Sequence, residues 1–135
     1  MTKCLKVMFL VTLSSLPCVA DTSDQYRVCS ENAKTQARMN ACANEEVTRS
    51  DAEANGIYRA LVARTSRQPE ALAKVKAAER AWIVYRDAYI DAMYPEEHKQ
   101  VEYGSVYPME IDLLRATLTR EHVTALKQLL QRYSN

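Results

Sequence analysis

Ala78-Glu79-Arg80-Ala81-Trp82-Ile83-Val84-Tyr85-Arg86-Asp87-Ala88 holds the single tryptophan of the chain inside a helical pattern flanked by ionisable side chains. On a helix Trp82, Arg86 and Tyr89 fall on one face at spacings of four and three, so a large aromatic and a guanidinium share a stripe. A guanidinium beside a buried indole needs a compensating carboxylate or several carbonyls, which predicts an acid arriving from another helix. The plain reading of Trp82 is a core anchor, since tryptophan at helical spacing is usually packing.

Outward from that stretch the pattern is helical almost throughout. The chain has only Gly56 and Gly104, and its prolines are confined to positions 17, 69, 95 and 108, which leaves few turn signals for a sheet. The expected class is all-α, a small bundle of three main helices with an N-terminal segment clipped to it. A first long helix runs from after Thr35 to about Arg64, with Met39, Cys42, Glu46, Ala54, Ile57, Tyr58, Leu61 and Val62 near one face. Gly56 in its interior costs about 1 kcal/mol relative to alanine and marks a close crossing or a bend. Pro69 opens a second helix reaching about Tyr94, with Leu72, Val75, Ala78, Trp82, Tyr85, Tyr89, Ile90 and Met93 as its buried stripe. From Pro95 to Tyr107 the periodicity fails, giving a polar connection of about a dozen residues, a length more often functional or mobile than merely connective. Ser105 caps a last helix whose stripe is Ile111, Leu114, Leu118, Ala125, Leu126, Leu129 and Tyr133.

The first residues read as a secretory leader. Lys3 and Lys6 precede an apolar run from Val7 to Leu16, and Cys18 and Ala20 sit at minus three and minus one of a cut after Ala20. That run is too short to span a bilayer, so the expected division is a signal peptide over 1–20 and one helical domain over 21–135, exported to the periplasm or beyond. Lipidation at Cys18 is the alternative, and Pro17 and Ser15 fit it poorly. Cleavage removes Lys3 and Lys6 from 18 basic residues and none of the 17 acids, leaving a net charge of −1. That balance argues against nucleic-acid binding, and no membrane span is expected in the mature chain. Of four cysteines only Cys29 and Cys42 then reach an oxidising compartment, which suggests a disulfide. Zinc is the poorer reading of the same thiols, because His98 and His122 lie far along the chain, and no metal or other cofactor is expected.

Charge is uneven. Seven basic residues stand against Glu70 and Glu79 between Arg59 and Arg86, whereas seven acids stand against Lys99 alone between Asp87 and Asp112. The plain reading is a solvated surface; the sharper one is an acidic end, centred on the long connection, that faces a cationic partner. Catalysis finds little support. Glu79 and Asp87 lie about 12 Å apart along one helix, and neither His98 nor His122 with Cys42 comes with a nucleophile motif, so no enzyme is expected.

Several segments in order resemble the lysozyme inhibitor LprI N-terminal-like domain family of bacterial envelope proteins, over roughly Cys29 to Leu130. They are T-Q-A-R-M-N-A-C-A from Thr35, S-D-A-E-A-N-G-I-Y from Ser50, A-E-R-A-W-I-V-Y-R-D-A from Ala78, G-S-V-Y-P-M from Gly104 and L-T-R from Leu118. The matching positions include Asp51, Asn55, Tyr58, Trp82, Tyr85, Arg86, Asp87, Gly104 and Ser105, while Ala54 replaces a usual leucine. Many members carry a second cysteine pair where Ile90 and Leu114 stand here, so an apolar contact between these two is expected in its place. By the same resemblance Asp51 is the acid expected against Arg86. The resemblance implies an envelope protein that binds and inhibits lysozyme by protein contact. On that reading Glu96, Glu97 and Glu102 supply attraction to the partner, and Tyr94, Tyr103 and Tyr107 supply aromatic contact; packing at helix ends is the equal alternative for the tyrosines. A structural or adaptor module with another envelope partner is the alternative.

Overall fold

The computed structural model describes residues 22–134. Five α-helices and one short 3-10 turn make up the domain: α1 (Asp24–Glu31), α2 (Gln36–Thr65), α3 (Pro69–Met93), α4 (Lys99–Tyr103), the 3-10 turn (Gly104–Val106) and α5 (Tyr107–Arg132). No strand occurs among the described residues.

Local chemistry sets these boundaries. The Ser23 hydroxyl accepts from the Tyr26 amide and opens α1, and the Thr35 hydroxyl accepts from the Arg38 amide and opens α2, each satisfying an orphan donor of the first turn. Pro69 and Pro108 occupy first-turn positions of α3 and α5, where a missing N–H costs nothing. The polar connection expected between Pro95 and Tyr107 is itself folded into α4 and the 3-10 turn. Ser105 lies inside that turn rather than capping α5, whose first turn has no side-chain cap.

α2 and α5 pack along one another as the body of the fold, α1 lies on α2, and α3 leans on both with far less contact. The main core cluster joins Ala54 and Leu61 of α2, Val75 of α3, and Val123 and Leu126 of α5, with Tyr58 and Tyr133 packed against it. The disulfide between Cys29 and Cys42 ties α1 to α2, with a Cα–Cα distance of 5.7 Å.

The stripe expected for α3 is only partly buried. Val75 and Ile90 are fully covered, but Tyr85, Tyr89 and Met93 are exposed, because α3 sits outside the tight α2–α5 pair rather than between partners. Leu114, the residue expected against Ile90, is half-buried on α5.

The two glycines behave oppositely. Gly56 is helical and a Cβ built there meets nothing within 4 Å, so it marks neither a close crossing nor a contact. Gly56→Ala should therefore raise stability by about 0.5 to 1 kcal/mol in urea denaturation. Gly104 has φ 70° and ψ −161°, a conformation open essentially to glycine alone. Gly104→Ala should cost about 1 to 3 kcal/mol although space is free around it, and equal melting of that variant and the parent would refute the backbone argument.

Candidate partner-binding surface

The end of α3, α4 and the start of α5 form one edge of the molecule, held by three tyrosines. Tyr94 meets Tyr103 and Tyr107 edge-on, at centroid distances of 5.1 and 5.2 Å, and Tyr103 and Tyr107 stack at 5.7 Å. Tyr94 Oη donates to Glu110 at 3.4 Å; partial burial, then the Glu110 charge, push its phenol above the ordinary range. Lys99 Nζ donates to Asp91 at 2.7 Å, and Gln100 Nε2 donates to the Gly104 carbonyl at 3.3 Å. Asn40 Nδ2 reaches across from α2 to the Ser105 carbonyl at 3.3 Å. The tyrosines thus spend much of their aromatic surface on each other, while Glu96, Glu97 and Glu102 stand exposed around them. The structure brings Tyr94, Tyr103 and Tyr107 together, and Glu96, Glu97 and Glu102 flank them in sequence as exposed residues.

Around Trp82 the arrangement differs from expectation. The indole is half-buried and stacks on His122 of α5, with centroids 3.8 Å apart and planes within 5°. His122 Nε2 is 2.8 Å from Glu79 Oε2, one turn before Trp82 on α3. Arg86 Cζ lies 5.0 Å from the centroid of the Trp82 ring, a cation–π geometry, and its guanidinium pairs with Asp87 at 2.9 Å. The acid from another helix is not there: Asp51 instead accepts from Thr119 Oγ1 at 3.3 Å. Arg86 is held by its own helix and by the indole, so the expected Asp51–Arg86 pair is corrected to two separate interactions. Loss of Asp51 then removes one hydrogen bond, worth about 1 kcal/mol rather than several. Of the remaining motif positions, Tyr58 packs on the core, whereas Asn55 and Tyr85 face outward.

A third cluster was visible only as a carboxylate at an apolar position of the α2 stripe. Glu46 is 2% exposed and receives the Ser23 hydroxyl, the Ser23 amide at 3.1 Å, Arg49 at 2.7 Å and Arg120 of α5 at 2.8 Å. Burial by itself would raise its carboxyl, but the bonds from Ser23 and Arg49 and the charge of Arg120 outweigh it and hold the group below the ordinary carboxylate range. Three segments meet at this one side chain: the entry to α1, the middle of α2 and α5.

Among the described residues no group of three or more histidine, cysteine, aspartate or glutamate side chains is placed to hold a metal ion. No helix among them is long and apolar enough to cross a membrane. Compared with known proteins, residues 29–126 match the family described as lysozyme inhibitor LprI. A protein of Rhizobium meliloti (strain 1021), itself described as uncharacterized, is 32% identical over 114 residues, covering 76% of this chain and 79% of its own. No solved structure matches.

Proposed function

The chain belongs to the lysozyme inhibitor LprI family, and from that membership we propose that it is an exported, non-catalytic protein that binds a lysozyme and blocks its access to peptidoglycan. Family membership carries the reading, and the acid-rimmed tyrosine edge supports a place for the contact. Lysozyme as the target, export after cleavage near Ala20 and the edge as the docking face all belong to the proposal; the leader lies outside the described residues. Three exposed carboxylates beside a packed aromatic cluster offer a negatively charged rim, which steers encounter with a cationic enzyme.

Cell-wall lysis by lysozymes of several structural types, followed with and without the purified protein at low and high salt, tests this. Inhibition is expected at low ionic strength and should weaken as salt screens the rim. The combined Glu96→Gln, Glu97→Gln and Glu102→Gln variant should inhibit about tenfold less tightly while folding normally, since all three side chains are exposed. Full potency in that variant places the docking face elsewhere. No inhibition of any lysozyme type sinks the inhibitor reading and leaves an adaptor with another envelope partner.

A further inference from the structure

α3 carries apolar residues on the side that faces away from the bundle as well as on the side that packs. Val84 is 68% exposed and Tyr85 57%, in a helix whose inward residues Val75 and Ile90 are buried. An apolar stripe along a helix normally has a neighbour, and α3 has its neighbours on the inward side only.

The outward residues follow a coiled-coil seam. Lys74, Ala77, Ala81, Val84, Ala88 and Asp91 are separated by three, four, three, four and three, and every one is exposed. We infer that this face of α3 binds the same face of a second copy of the chain, the two helices running antiparallel.

The charges select both the occupant and the register. With Ala81 set against Val84 of the other copy, Ala77 falls against Ala88, and Lys74 at one end of the seam falls against Asp91 at the other. In that same register the flanking Arg80 meets Asp87, and two-fold symmetry repeats each pair, giving four ion pairs from one helix sequence. A parallel arrangement would instead set Lys74 near Lys74 and Asp91 near Asp91. On the opposite flank Tyr85 of one copy covers Ala78 of the other, a large residue against a small one. Among the described residues Lys74 and Arg80 have no carboxylate within ion-pair distance. Asp87 and Asp91 use only Oδ1, for Arg86 and Lys99, and Asp91 is 73% exposed. The seam spans about 26 Å, a short interface, so the dimer is a weak and concentration-dependent one. It leaves the two tyrosine edges at opposite ends, and it does not rest on the lysozyme reading.

Sedimentation equilibrium of the purified protein from about 1 to 300 µM tests the inference, with a monomer–dimer equilibrium expected inside that range. Ala81→Glu should weaken dimerisation at least roughly 30-fold without changing the helical spectrum, because the residue is exposed in the monomer. Arg80→Asp alone should weaken it about tenfold, and Arg80→Asp combined with Asp87→Arg should restore it, a rescue expected only if the two positions face each other across copies. A protein that stays monomeric throughout, or a double reversal as weak as the single one, overturns the inference.

Discussion

Glu46→Ala should lower the unfolding free energy of the domain by about 3 kcal/mol, near the lower end of what removing one partner of a buried ion pair costs. The reason lies in what stays behind. Arg120 is only partly exposed and donates to Glu46 across the α2–α5 seam, and its Nε already lacks a partner. Arg49 is more open to water, which softens the loss and keeps the expected figure from the upper end. The same group makes stability depend on pH in a definite direction. A carboxyl held below its unfolded value contributes fully above the unfolded pKa of about 4.3, and that contribution is lost as the pH falls through the lower folded value. Urea denaturation at neutral pH and at successively more acid pH should show the parent losing stability over that window, with Glu46→Gln less stable at neutral pH and flatter below it. Parallel curves for the two proteins would remove Glu46 from the account of acid sensitivity.

Replacing both Cys29 and Cys42 by alanine should cost about 3 kcal/mol, the chain-entropy value for a bridge between residues 13 apart in sequence. Alanine is the suitable replacement because Cys42 is completely buried and a polar substitute would add its own penalty. The loss should be local before it is global. α1 has no buried residue of its own and is held to the body by the disulfide and by the Ser23 contacts to Glu46. Amide exchange in α1 should therefore rise first, while the α2–α5 pair keeps its protection. Both replacements loosen the same segment, so combining them with Glu46→Ala should cost less than the separate losses together. Unchanged α1 protection after removal of the bridge would show that the Ser23 hook suffices.

Much of the scaffold was legible because its signals are local. Thr35 and Pro69 mark helix starts by their hydrogen-bonding chemistry alone, and α2 and α3 begin and end within a residue or so of the expected positions, whereas Ser105, read as the cap of the last helix, lies in the turn before it. The cysteine pair was legible by elimination, since two of four cysteines lie in the leader-like segment. The acid-rich edge was legible as composition, and the structure adds that its three tyrosines pack on one another.

The partners of charged groups were not legible. Glu46 and Arg120 are 74 residues apart, and Trp82 and His122 are 40 apart; nothing in either neighbourhood names the other. Asp51 and Arg86 were matched by position in a resembling family, yet the rotation of α2 turns Asp51 toward Thr119 of α5, and Arg86 settles on its own helix. Periodicity likewise gives the direction of an apolar face but not whether anything covers it, which is why Tyr85, Tyr89 and Met93 are exposed on a helix that reads as core. The amino-acid sequence by itself determined the three long helices, the starts of the first two and the bridge, because these depend on interactions within a few turns or on bond chemistry. Only the tertiary structure decided which helix faces are covered and which charges meet, because those follow from how the helices rotate and lean on one another.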